Sequence, residues 1–152
     1  MSEHSQIIET VKTVFLEQIP FNKLLRLQIE SLDYDGARVR IDMRPELVGN
    51  FIQGILHGGV ISSVLDVTGG LTAFMSLLKK MSHLSNQEKL ERLSKFGTID
   101  MRVDFLRPGR GKYFVASGAA LRTGNKVAVT RMELLNDENV LIAVGAGAYV
   151  VV

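Results

Sequence analysis

The stretch "HGGVISSVLDVTGGLTAFMSLL", residues 57 to 78, constrains this chain more than any other. It carries one formally charged side chain, Asp66, among apolar, small and hydroxyl residues. A helix that is apolar nearly all round its circumference is enclosed by the rest of a protein rather than laid on its surface. At about 1.5 Å rise per residue, such a helix is a rod about 30 Å long, and the remaining sequence has to wrap it. Five Ser/Thr positions, the adjacent Gly69 and Gly70 and the carboxylate itself speak against a membrane span. An acid in these surroundings is costly to desolvate without a partner, so its presence asks for a reason.

The flanking sequence supplies the wrap. Residues 4 to 18 place Ile7, Ile8, Val11, Val14 and Phe15 at helical spacing, and Pro20 is expected to end that helix. "LLRLQIESLD" (24–33) is expected as a strand, "YDG" as a turn, and "ARVRIDMRP" as an alternating strand with Val39, Ile41 and Met43 on one face. A loop from Pro45 to Gly54 leads into the long helix, about 57 to 80. "SNQE" has capping-box spacing and opens a short amphipathic helix, the end of a helical insertion spanning about 81 to 95. From Phe96 on the period changes to two. "TIDMRVDFL", "KYFVASGAAL", "KVAVTRMELL" and "VLIAVGAGAYVVV" follow, the last three joined by the hairpin chemistry of "RTGN" and "NDEN". Hairpins impose antiparallel pairing. The expectation is an α+β chain, one domain over 1–152, in which an antiparallel sheet of five to six strands curls round a central helix, with an extra N-terminal helix.

The enclosed helix also has a chemical face. Residues three, four and seven positions from Asp66 are Gly59, Ser62, Ser63, Gly69, Gly70 and Ala73, all small. At the start of the helix, "HGG" sets Gly58 and Gly59 where backbone N–H groups lack intrahelical acceptors and carry the positive end of the helix dipole. Donors of that kind suit an oxyanion forming at an attacked carbonyl. The competing explanation is structural: the glycines turn the chain, His57 is an ordinary hydrogen-bonded histidine, and Asp66 binds an arginine across an interface.

Composition removes other chemistries. With no cysteine there is neither a disulfide framework nor a thiolate nucleophile, and His4, His57 and His83 are scattered. No metal and no cofactor is expected. The net charge of +2 is too small to suggest nucleic acid. The start of the chain lacks the features of a secretory signal, and a cytoplasmic protein is expected. Charge is nevertheless uneven. Residues 101–131 hold Arg102, Arg107, Arg110, Lys112, Arg122, Lys126 and Arg131 against Asp104 alone, which is either a solvated strand face or an attraction for an anionic ligand.

"GILHGGVISSVLDVTGG", followed some thirty residues later by "GTIDMRVDFLRPGRGK", resembles the hotdog-fold thioesterases of the PaaI-like branch. Within that branch the chain is similar to the bacterial YigI-type medium- and long-chain acyl-CoA thioesterases. The resemblance implies that Asp66 is the catalytic acid, acting on water as general base or attacking directly. It implies that Gly58 donates its N–H to the thioester carbonyl with His57 beside it, and that Thr98 helps to place the water. It also implies an Asn or Gln six residues before the histidine, where this chain has Phe51; Asn50 is preferred for that role, with Gln53 as the rival. Strict alternation puts Ile99, Met101, Val103 and Phe105 on the core face and Thr98 on the other, so Thr98 reaches the site only at a strand end or a bulge.

The implied substrate is acyl-CoA. Arg107, Arg110 and Lys112 of "RPGRGK" are candidates for its phosphates, and Phe51, Phe74, Met75 and Met81 for lining an acyl pocket. The strand "TIDMRVDFL" would be an exposed edge in a lone copy, and a homodimer or dimer of dimers is expected, with sites formed between subunits. The rival functions are a non-catalytic acyl-CoA-binding module, against which the presence of Asp66 argues, and a dehydratase acting on acyl thioesters, which would need a histidine–acid pair arranged differently from "HGGVISSVLD".

Overall fold

A computed structural model describes residues 1–152. Its elements are α1 (Glu3–Thr13), α2 (Pro20–Leu25), β1 (Gln28–Asp33), β2 (Gly36–Asp42), α3 (Gly58–Lys80), α4 (Asn86–Glu91), β3 (Gly97–Phe105), β4 (Tyr113–Thr123), β5 (Val127–Asn136) and β6 (Leu141–Val150). The six strands form one antiparallel sheet in the order β1-β2-β4-β5-β6-β3. The sheet curls round α3, which packs across β2, β4 and β5 and touches both β3 and β6.

The enclosure is as complete as the sequence demands. Val64, Leu65, Leu71, Ala73, Phe74, Met75 and Leu78 of α3 are fully buried, facing Val39 and Ile41 of β2, Phe114 and Ala116 of β4, Met132 and Leu134 of β5, and Ala143 of β6. The helix has the length and hydropathy of a membrane span, but the sheet takes up its apolar surface. Thr68 and Thr72 are buried within it because each hydroxyl donates to the carbonyl four residues back, at 2.7 and 2.8 Å.

The N-terminal helix is present, capped by the Ser2 hydroxyl on the Ser5 amide, but its last turn (Val14–Gln18) widens to π geometry. Pro20 ends this helix and starts the next. At the first position of α2 its missing N–H is not needed. The expected strand at 24–33 is therefore shorter. Leu24 and Leu25 finish α2, Arg26 adopts a left-handed conformation (φ 56°), and β1 begins at Gln28. The apolar pair Leu24–Leu25 misled because a two-residue run carries no period. The guanidinium of Arg44 donates to both carbonyls, Leu25 at 3.0 Å and Leu24 at 2.6 Å, and so closes the end of α2. At α4 the capping box of Ser85 and Glu88 forms as its spacing predicts. The Glu88 carboxyl sits below its ordinary range because it accepts hydrogen bonds from the Ser85 amide and hydroxyl.

After β3 the chain crosses to the other half of the sheet, so β3 pairs only with β6 and forms one edge. Its alternation is broken by a bulge between Thr98 and Asp100. Met101 and Val103 pack against the core as expected, whereas Ile99 and Phe105 are about half exposed.

Since α3 is the element on which the sheet closes, Leu71→Ala in its centre is expected to lower unfolding free energy by about 2–5 kcal/mol. Urea denaturation checks this; a loss under about 1 kcal/mol would mean that the helix is not enclosed.

Candidate active site

Asp66 lies half-buried on α3, on the side that faces β3 and β6. Its Oδ1 atom accepts from two hydroxyls, Thr98 Oγ1 at 2.9 Å and Tyr149 Oη at 3.2 Å. Tyr149 Oη is also 3.1 Å from the main-chain oxygen of Asp66, so its one proton is shared between carboxylate and backbone. Oδ2 has no hydrogen-bond partner within the chain. No arginine reaches the acid in this copy: every ion pair in the chain involves other residues. The bulge in β3 accounts for Thr98. It turns this side chain toward the helix, against the alternation of the strand.

Tyr149 is the site residue that sequence reasoning missed. It is almost fully buried (1% exposed) on β6, its ring stacked on Phe96 with centroids 5.9 Å apart and planes 10° apart. The one available signal was a polar aromatic in a strand of small residues, "GAGAYV"; its distance of 83 residues from Asp66 hides the pairing. Burial, then the charge of Asp66, then the hydrogen bond to it, push the phenol well above its ordinary value of 10.0.

The acid opens onto a cavity of about 410 Å³. Ser63, Asp66, Val67 and Gly70 of α3 form one wall, with Gly97, Thr98 and Tyr149 beside the acid. The far wall is Val14, Phe15, Ile19, Phe21 and Asn22 from the N-terminal segment, with Leu93 from the insertion and Phe96 just before β3. Asn22 is part of the construction, its amide donating to the Phe15 carbonyl at 2.9 Å. The four residues expected to line an acyl pocket do not. Phe74, Met75 and Met81 are core, and Phe51 is 84% exposed on a loop. Apolar character alone does not separate core from lining.

The start of α3 forms a second locus. His57 caps the helix, its Nδ1 accepting from the Gly59 amide at 2.7 Å, while the Gly58 N–H has no acceptor within the chain. Gly58 lines a separate cavity of about 350 Å³ with Ile61, Phe105 and Pro108, and the Phe105 ring covers it. Eight residues of helix separate Gly58 from Asp66, about 12 Å by rise, and within one chain the two do not share a cavity.

Asn50 caps its own loop, Oδ1 accepting from the amides of Ile52 (3.2 Å) and Gln53 (3.3 Å). Arg110 clamps Gln53 through the carbonyl and side-chain oxygens, both at 3.0 Å, and Arg107 donates to the Leu141 carbonyl at 2.8 Å. Neither amide reaches the Asp66 cavity. Lys112 is exposed just before β4.

A six-stranded antiparallel sheet wrapped round one long helix, with a lone tethered acid on that helix, is the hotdog architecture carrying a candidate hydrolytic site. Comparison with known proteins narrows the class. Residues 53–143 match the thioesterase superfamily, and the chain belongs to that family. It is 45% identical over 146 residues to the medium/long-chain acyl-CoA thioesterase YigI of Escherichia coli K12, covering 96% of this chain and 94% of that one. The protein of the same name from Salmonella typhimurium LT2 is also 45% identical over 146 residues. A crystal structure from Shewanella oneidensis, described as related to the thioesterase superfamily, superposes with a TM-score of 0.94 at 49% identity. It covers 98% of this chain and 97% of that one.

Between the unfolded and folded ionisation of Tyr149 the folded chain holds a proton that the unfolded chain has released, so stability falls as pH rises past 10. Tyr149→Phe is expected to remove part of that fall. At alkaline pH, folded wild type and the folded variant are expected to show the same phenolate absorbance, whereas in urea the wild type exceeds the variant by one tyrosine's signal. Loss of one tyrosine's amplitude from the folded titration would contradict the buried, acid-bound phenol.

Proposed function

We propose that this protein hydrolyses medium- to long-chain acyl-CoA to free fatty acid and CoA. The observation that carries this reading is the tethered carboxylate lining a largely apolar cavity, in a chain 45% identical to proteins named medium/long-chain acyl-CoA thioesterases. Asp66 Oδ2 takes a proton from water as general base, and the hydroxide equivalent attacks the thioester carbonyl carbon. The oxyanion is stabilised by the Gly58 N–H at the positive end of α3. The C–S bond then breaks, the proton held by Asp66 passes to the departing CoA thiolate, and the acyl group leaves as the carboxylic acid. The acyl tail occupies the cavity walled by Phe15, Ile19, Phe21, Leu93 and Phe96. The CoA phosphates are drawn to Arg107, Arg110 and Lys112, whose loop lies beside the helix start.

In this reading the site is completed by a second copy. One thioester cannot touch Asp66 and Gly58 of the same chain, which stand about 12 Å apart along the helix. The edge strand β3 supplies a solution. Its Thr98 end holds Asp66 and its Phe105 end covers Gly58. Antiparallel pairing of two β3 edges about their midpoint sets the Phe105 end of one copy against the Thr98 end of the other. Gly58 of each chain is thereby carried toward Asp66 of its mate. The same pairing satisfies an otherwise open edge and covers the exposed Ile99, Phe105 and Leu106.

Two measurements test the reading. Thiol release across an acyl-CoA series is expected to give higher kcat/KM for octanoyl- to palmitoyl-CoA than for acetyl-CoA; the reverse order overturns the substrate assignment. Light scattering is expected to show a dimer or larger at micromolar concentration, and a stable, active monomer would remove the shared site.

A further inference from the structure

Resting on that reading, we infer that Tyr149 is a positioning residue for hydrolysis, fixing Asp66 so that Oδ2 alone serves as the base. The two oxygens of this carboxylate are not equivalent. Thr98 and Tyr149 both donate to Oδ1, while Oδ2 is free of protein donors on a residue that lines the cavity. Two donors from different strands, β3 and β6, leave the carboxyl group little freedom to rotate about its terminal bond. A base that must meet a water and a thioester at hydrogen-bond distance gains from that restriction.

The surroundings of Tyr149 are built to deliver its hydroxyl to this spot. A Cβ at Gly69 would collide with the hydroxyl itself, and also with the Met132 side chain at 2.9 Å. A Cβ at Gly147, two residues before Tyr149 on the same strand, would meet the phenol ring and oxygen at 2.8 Å. Helix and strand thus each provide a glycine where the phenol passes. Phe96 stacks on the ring and is itself packed edge-on against Phe74, with centroids 5.5 Å apart, which holds the ring from its other side. The proton needed for donation is retained, because burial and the neighbouring negative charge both oppose ionisation of this phenol. Of the glycine pair on α3, Gly69 seats the tyrosine, whereas Gly70 lines the cavity.

Tyr149→Phe removes the donor and keeps the ring. In the assembled enzyme, kcat for octanoyl-CoA is expected to fall about 10- to 100-fold, with KM and the Kd of a non-hydrolysable thioether analogue of octanoyl-CoA each changing less than about threefold. Gly69→Ala gives an independent result, since it keeps the phenol but occupies the seat of its hydroxyl. The same kcat loss with the same preserved analogue binding is expected. Tyr149→Phe or Gly69→Ala with wild-type kcat in a folded protein would overturn the inference. So would a loss of activity that in both variants follows the melting curve, or one carried by KM and analogue Kd, because Tyr149 would then serve stability or substrate binding. If wild-type protein does not hydrolyse acyl-CoA, the underlying functional reading fails instead, and the two failures are distinguished by that one control.

Discussion

The carboxylate of Asp66 ties the enclosed helix to the sheet by side-chain hydrogen bonds, in addition to apolar packing. One oxygen is shared between Thr98 of the edge strand β3 and Tyr149 of its neighbour β6. Burying an acid beside an apolar helix is costly, and two donors on the charged form offset part of that cost. The remaining oxygen has no partner within the chain, on a residue that lines a cavity. In the proposed reaction, structure and chemistry therefore draw on different atoms of one group.

The rest of the architecture serves that group. The β3 bulge turns Thr98 inward, and glycines on α3 and β6 admit the phenol. The N-terminal helices and the insertion before β3, which lie outside the helix-and-sheet unit, supply most of the apolar wall beyond the acid. Under the proposed function these side chains are where acyl selectivity would be set, and the acid and the helix start would form the reacting centre. The helix start is geometrically remote within one chain, and in the proposed dimer the open edge β3 relates the two loci through a second copy.

Much of this was legible in the sequence because periodicity and charge leave clear marks. A long apolar run with one acid predicts an enclosed helix and singles out Asp66. Strict alternation after Phe96 predicts the strands, and turn chemistry predicts the hairpins β4-β5 and β5-β6. Thr98 was named through resemblance, on condition of a strand end or a bulge; a bulge is present, and Thr98 donates to Asp66. What escaped depended on long-range geometry. Tyr149 is far from Asp66 in sequence and looks like any strand aromatic. Phe74 and Met75 have the composition of a pocket lining yet lie in the core, whereas Val14 and Phe15 have the spacing of a core-facing helix yet also wall the cavity. The apolar start of "LLRLQIESLD" is helical because Pro20 nucleates a new turn and Arg44 caps it from elsewhere in the chain.

The central claim is that Asp66 carries the reaction through its charge rather than through its place in the fold. Asp66→Asn tests it most directly, with kcat and a melting curve measured on one preparation. The amide keeps a carbonyl oxygen for Thr98 and Tyr149 but cannot accept a proton from water. The account predicts that the melting temperature is retained or raised, because the cost of desolvating the charge is relieved. It predicts that kcat falls by about 10²- to 10⁴-fold, the contribution of a positioned general base, and that acyl-CoA binding persists. A well-folded Asn variant turning over at close to the wild-type rate would contradict it.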